Sequence, residues 1–332
     1  MFSIKESPVW ADEVHGFDLD DPVEGGIDGV DNVPLGELAD RTAFLRGSIR
    51  LAGGHTFVID SDDALAAWAK NAPGNDYSRI LIKAGTWTLE TTLSGGTWNN
   101  PVAAIDISDG RTLSVVGEAG SIVVIDHKSP SRHDFVCGIK GGAPNIVNPV
   151  SDCFIDNVCI KIRSTAFFSL FAFYGCINLT NCTAMATAMG AETAMWDGGG
   201  NCFYGCINLT NCTATAPETM VTGSGHGYGF ESCTNLTNCT AAGTEMGDDC
   251  NFYGCTNLTN CTATVGDGGY GYGFESCTNL TNCTAMVPKD SYGFLSCRTG
   301  FGNSGKASYC FMEQQTGTTP WSSTASGGYN FV

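Results

Sequence analysis

Cys255-Thr256-Asn257-Leu258-Thr259-Asn260-Cys261-Thr262-Ala263 is one of five copies of the string C-x-N-L-T-N-C-T-A in this chain. The others occupy 176–184, 206–214, 233–241 and 277–285, with a looser copy at 153–159 and a truncated one at Cys297. Successive first cysteines lie 23, 30, 27, 22, 22 and 20 residues apart. A motif recurring at that period predicts a solenoid, in which stacked units bury together what one unit cannot bury alone. Helical repeats need ten or more residues of 3.6-period apolar pattern per unit. Here the units hold only short β-like pieces, such as Tyr228-Gly229-Phe230 and Leu236-Thr237, broken by Gly and Asn. Asn tolerates left-handed backbone angles, so Asn238 and its copies suit a tight turn between two short strands. The expectation is an all-β, right-handed parallel β-helix with about 22 residues per coil and loops of varying length on one side.

In such a coil Leu179, Leu209, Leu236, Leu258 and Leu280 form one interior column. The cysteines form two more columns, stacked at the ~4.8 Å spacing of hydrogen-bonded strands. Parallel side chains on neighbouring coils point the same way, which disfavours disulfides. A C-x5-C spacing without paired histidines is no standard zinc site. Buried thiols packing as small apolar groups are the better reading of the 17 cysteines. The Asn-Leu-Thr copies match a glycosylation acceptor, but repetition at one register points to turn and stacking geometry.

Upstream, Ser61 to Lys70 reads as a short helix capped by Asp60 or Ser61, with Ala64, Leu65 and Trp68 on one face. It is placed to cover the open N-terminal end of the solenoid. Residues 79–89 give two strands about Gly85, and 111–117 and 121–126 add two more. This order, helix, then "ILIKAGTWTLETTL", then "TLSVVGEAGSIVVID", then coils with "NLTNC", resembles the pectate-lyase-like β-helix superfamily over 60–297. That superfamily includes lyases, hydrolases, adhesins and phage tailspikes, so the resemblance implies a fold more than a function.

Charged residues are only 15% of the 332-residue chain, and the formal net charge is −18. That field repels nucleic acid and anionic membranes. No apolar run approaches the ~18 residues of a membrane span, and residues 1–6 show no signal segment. The expectation is therefore a protein without nucleic-acid partner or membrane insertion, folded in a reducing compartment. Residues 1–63 hold 14 acids and 4 bases. Segment 1–34 reads as extended, and 35–52 as a helix. Its seam Leu35, Leu38, Thr42, Leu45, Ile49 is spaced 3, 4, 3 and 4. Two heptads fit either an amphipathic helix packed on the β-helix or the head of a parallel oligomer. "DPVEGGIDGVDNVPLGELADRTAFLRGSI" resembles the N-terminal segment of bacteriophage and prophage tail fibres. The resemblance implies a homotrimer, attachment to virion tail or baseplate proteins through the N-terminus, and a location in the virion tail. The capped β-helix then spans 53–310, and 311–332 forms a C-terminal cap or tip.

Candidate chemistry lies on the coils. The residues Tyr174, Tyr204, Glu231, Tyr253, Glu275 and Leu295 each follow a Phe expected to face the core, so they form an outward column. Glu231 and Glu275, two coils apart, are the catalytic candidates, at a spacing compatible with an inverting glycosidase; the alternative readings of the column are a solvated face or a contact between subunits. Trp196, His226, Tyr228, Tyr270 and Tyr272, assigned to loops, are the candidates for sugar or protein contact. Asp248, Asp249 and Asp267 lack the oxygen spacing of a calcium loop, and no other metal or cofactor is expected. The repeats show no clustered aspartates with a catalytic base, nucleophile triad or phosphate loop. These features point to recognition of a host-surface receptor, glycan or protein, with two alternatives on the same scaffold. One is a polysaccharide depolymerase; the other is a structural adhesin or spacer fibre.

Overall fold

The structure is a computed structural model that describes residues 55–71, 77–108, 113–128, 135–142, 153–164, 169–188, 200–215, 227–243, 250–266, 271–287, 291–297, 310–314 and 330–331. The seam Leu35, Leu38, Thr42, Leu45 and Ile49 lies outside these residues, as do Trp196, His226 and Tyr270. The chain divides into two compact units, Met1–Thr56 with Tyr77–Arg79, and Phe57–Asp76 with Ile80–Val332. The second unit carries the coils.

The strands form three sheets of nine, eight and ten, and through the repeats the strands of one coil pair with strands of the next rather than with their sequence neighbours. The pairing is parallel, as in Leu209↔Leu236 and Phe230↔Phe252. Parallel strands joined by crossovers wind right-handed, and the architecture is the right-handed parallel β-helix expected from the repeat. Each coil crosses three strands, here named for the side chain each turns inward. The Phe strands of the repeats are Ser169–Tyr174, Gly200–Tyr204, Tyr228–Glu231, Cys250–Tyr253, Tyr272–Glu275 and Tyr292–Leu295. The Leu strands are Ile177–Thr180, Ile207–Thr210, Thr234–Thr237, Thr256–Thr259 and Thr278–Thr281. The Ala strands are Thr183–Ala188, Thr213–Thr215, Thr240–Ala242, Thr262–Thr264 and Thr284–Val287. The Ala sheet also takes Cys310–Gln314, so pairing continues past residue 310.

The core is a set of ladders. Leu179, Leu209, Leu236 and Leu258 are fully buried and Leu280 is 1% exposed, in one continuous register. The Phe173, Phe203, Phe230, Phe252, Phe274 and Phe294 rings stack at centroid distances of 5.1, 4.7, 4.8, 4.7 and 4.9 Å. Their planes are within 10° of parallel, because the strand spacing sets the ring spacing. The first cysteine of each repeat points its thiol at the Phe-strand carbonyl of the preceding coil, as Cys255 Sγ does toward Phe230 O at 3.4 Å. The second does the same toward the preceding Leu strand, as Cys261 Sγ toward Leu236 O at 3.7 Å. No disulfide joins the 16 cysteines whose side chains are described. Burial pushes the thiols of Cys137 and Cys250 well above their ordinary range, which keeps them protonated and unreactive.

Two left-handed positions turn each coil. Between Phe and Leu strands sits Gly175, Gly205, Ser232, Gly254, Ser276 or Ser296, at φ 52–60°. Between Leu and Ala strands sits Asn181, Asn211, Asn238, Asn260 or Asn282, at φ 51–54°. A third left-handed residue, Asn178, Asn208, Asn235, Asn257 or Asn279, lies inside the Leu strand itself. Asn is the non-glycine residue best suited to this backbone. The amides also bond axially: Asn208, Asn235, Asn257 and Asn279 each donate to the equivalent Asn Oδ1 one coil earlier at 2.8–3.0 Å. Asn211, Asn238 and Asn260 form a parallel ladder at 3.2 Å. The glycosylation-like motif is thus a structural device.

The helix Asp62–Asn71 forms as expected. Ser61 Oγ caps it by accepting from Ala64 N at 3.1 Å. Leu65 and Trp68 are buried, and Asp62 Oδ1 receives Thr88 N at 2.7 Å, tying the helix to the strand Gly85–Thr91.

Candidate functional site

Outside the core, the Phe sheet carries a second packed layer. Strict alternation would put the residue two before each core Phe on the inner face. Instead the strand kinks between them. Gly229 sits so close to the Ala column that an added Cβ would lie 2.9 Å from Ala241 Cβ and 2.7 Å from Asn251 O. The residue before each Phe therefore also points inward, and the residue two before joins the outer face. Two columns result. One runs Cys137, Phe171, Asn201, Tyr228, Cys250, Tyr272, Tyr292. The other runs Lys140, Tyr174, Tyr204, Glu231, Tyr253, Glu275, Leu295.

This corrects two expectations. Tyr272 lies on a strand, not on a loop, and Tyr228 lies on the strand that the β-like piece Tyr228-Gly229-Phe230 indicated rather than on a loop. The column holding Glu231 does face away from the core, but it is not uniformly solvated: Lys140, Tyr204, Tyr253, Glu275 and Leu295 are half-buried. Tyr174 is fully buried and Glu231 is 7% exposed. The physical reason is lateral packing between the two columns and, at the N-terminal end, a covering segment. Trp98, in a turn closed by the Thr97↔Asn100 bridge, lies edge-on over Phe171 and Tyr204, at centroid distances of 5.3 and 5.5 Å. Its Nε1–H donates to Tyr204 Oη at 2.8 Å, and its carbonyl accepts from Tyr174 Oη at 3.2 Å. Lys140 Nζ donates to Asn100 Oδ1 at 2.7 Å beside it. Nothing in the sequence pattern announces Trp98, which comes from outside the repeats.

Further along the face, Tyr228 packs on Tyr253 at 5.2 Å and Tyr272 stacks on Tyr292 at 5.6 Å. Tyr292 is 40% exposed. Glu231 stands between Tyr204 and Tyr253 in the register. Its Oε2 accepts from Asn201 Nδ2 at 2.7 Å. Burial pushes the Glu231 carboxyl up to about 7, against the pull of that hydrogen bond. Burial likewise raises the phenols of Tyr204 and Tyr253, so both stay hydrogen-bond donors at neutral pH. Glu275 is two coils beyond Glu231, with Tyr253 between them, a backbone separation of about 9–10 Å. Among the described residues from 169 to 297, Glu231 and Glu275 are the only Asp, Glu, Lys or Arg. The described residues hold no cluster of three metal-ligating side chains and no helix long and apolar enough to cross a membrane.

The face can therefore take flat, partly apolar groups along the solenoid axis. It offers ring faces, phenol hydroxyls and two carboxylates.

No family model matches the chain, and no curated protein matches it. Among solved structures, ORF18 of Geobacillus virus E2 is similar over 83% of this chain and 62% of that one, at 11% identity and a TM-score of 0.27. This chain thus spans under two thirds of that protein's length.

Proposed function

We propose that this chain is a component of a phage tail fibre or tailspike, and that it recognises a host-surface glycan along the outer face of the Phe sheet. The observation that carries the reading is one tyrosine on each of four successive coils, Tyr228, Tyr272 and Tyr292 in one column and Tyr253 in the other, beside Glu231, Cys250, Glu275 and Leu295. Pyranose rings stack on such faces, and phenol hydroxyls and carboxylates take the sugar hydroxyls. Trp98 supports it from within the molecule: this face already holds an indole through ring contacts and a hydrogen bond to Tyr204, with Tyr174 bonded to the Trp98 main-chain carbonyl. The tail-fibre resemblance of the N-terminal segment supplies the setting. There the chain attaches to tail or baseplate proteins, and the seam from Leu35 to Ile49 heads a homotrimer in the virion tail.

Binding of labelled host-surface glycan to the whole protein tests this reading. Tyr253→Ala and Tyr292→Ala should each weaken binding while leaving the thermal transition of the solenoid in place. Binding unaffected by both substitutions would move the site off this face.

One observation favours a second reading, a depolymerase. A glycosidase acid must be protonated near neutral pH, and Glu231 meets that requirement. Its partner would be Glu275, at a backbone separation of about 9–10 Å, against a carboxyl separation of about 6.5–9.5 Å in inverting enzymes. Recognition without cleavage remains the better account. The backbone separation sits at the upper end of that range, and Tyr253 occupies the position between the two carboxyls. Release of oligosaccharides, abolished by Glu231→Gln or Glu275→Gln, would decide for the enzyme.

A further inference from the structure

Resting on the glycan-binding reading above, we propose that Glu231 forms a subsite for a saccharide residue bearing a free, protonated amino group. Glu231 is a carboxylate taken almost wholly out of water, and the partner beside it, the Asn201 amide, is neutral. No lysine or arginine occurs among the described residues of these coils. A buried ionised carboxylate without a countercharge is costly, and an incoming ammonium supplies the missing charge. A neutral sugar hydroxyl can donate a hydrogen bond there but leaves the charge uncompensated.

The surroundings select the same chemistry. Tyr204 and Tyr253 flank Glu231 in the register, and Tyr228 precedes it on its own strand. Tyrosine faces attract ammonium groups as well as pyranose rings. Glu275 adds a second negative charge two coils on, and the net charge of −18 draws cations toward the chain. Glycans rich in uronic or sialic acids meet repulsion from both carboxylates. Among the described residues, the titratable groups interacting with Glu231 are the phenols of Tyr204, Tyr228 and Tyr253, with the Glu275 carboxyl two coils on. Burial pushes the Glu231 carboxyl up to about 7, so a proton competes with the ammonium as the pH falls below that value.

The test compares short glucosamine oligomers with N-acetylglucosamine oligomers of the same length, by calorimetric titration of the full chain at neutral pH. A charge-assisted hydrogen bond predicts at least about tenfold tighter binding of the free-amine oligomer. The preference should shrink at pH 5.5 and vanish in Glu231→Gln. Equal binding of both oligomers by the unmodified chain would overturn the amine subsite while leaving glycan recognition standing. Binding of neither would remove support for both. A lysine-rich peptide that binds through Glu231 while the oligomers do not would overturn the saccharide assignment. The comparison on the unmodified chain is decisive even if Glu231→Gln folds poorly.

Discussion

Glu231→Gln should make the solenoid more stable at alkaline pH and should flatten part of its pH dependence. The carboxyl is 7% exposed and pushed up to about 7, so the folded state holds its proton more tightly than the unfolded chain does. Between the ordinary carboxyl pKa near 4.5 and about 7, the native state therefore binds more protons than the unfolded state. Stability falls as the pH rises through that window and levels off above about 7. Some 2.5 pH units at about 1.4 kcal/mol each give a total loss of about 3–4 kcal/mol, of which about 3 kcal/mol falls between pH 4.5 and pH 8. Glutamine stays neutral and keeps an acceptor for the Asn201 amide, so it escapes the loss. The assay is urea unfolding of both proteins at pH 4.5, 6 and 8, taking the difference between them so that other titrations cancel. The variant's advantage should grow by about 3 kcal/mol from pH 4.5 to pH 8. A difference that stays constant with pH, or moves the other way, would show that Glu231 is solvated and would remove the buried-carboxylate argument.

Three further outcomes follow from the ladders. Asn238 sits at φ 53°, so Asn238→Ala should destabilise by about 1–2 kcal/mol more than Asn238→Gly, since both lose the ladder bonds but only alanine pays for the left-handed backbone. Equal losses would mean that the turn relaxes. Phe252→Ala should cost about 3–5 kcal/mol, because the ring is fully buried between Phe230 and Phe274; a loss under about 1 kcal/mol would contradict the stacked core. Thiol titration should find most of the 17 cysteines free after denaturation, while in the native solenoid half-buried Cys159 reacts ahead of its fully buried neighbours. Eight disulfides in the denatured protein would overturn the thiol columns.

The five repeats by themselves determine the solenoid. Equivalent residues in stacked coils occupy equivalent environments, so Leu179 to Leu280, the phenylalanines and the paired cysteines could be assigned to the interior from recurrence alone. Asn238 and its copies could be assigned to turns for the same reason, through the one backbone region Asn tolerates better than its neighbours. Glu231 and Tyr253 could be placed on one outward column by alternation. What recurrence cannot supply is what lies over that column. Only the tertiary structure shows the kink at Gly229 and its equivalents, which breaks the period of two and brings Tyr228 and Tyr272 onto the face beside Glu231. Only the fold brings Trp98 across more than a hundred residues of chain to Tyr204. And only packing decides that Glu231 is buried while Glu275, the same residue type at the same repeat position, stays partly exposed, because burial depends on lateral neighbours that differ from coil to coil where the repeat does not.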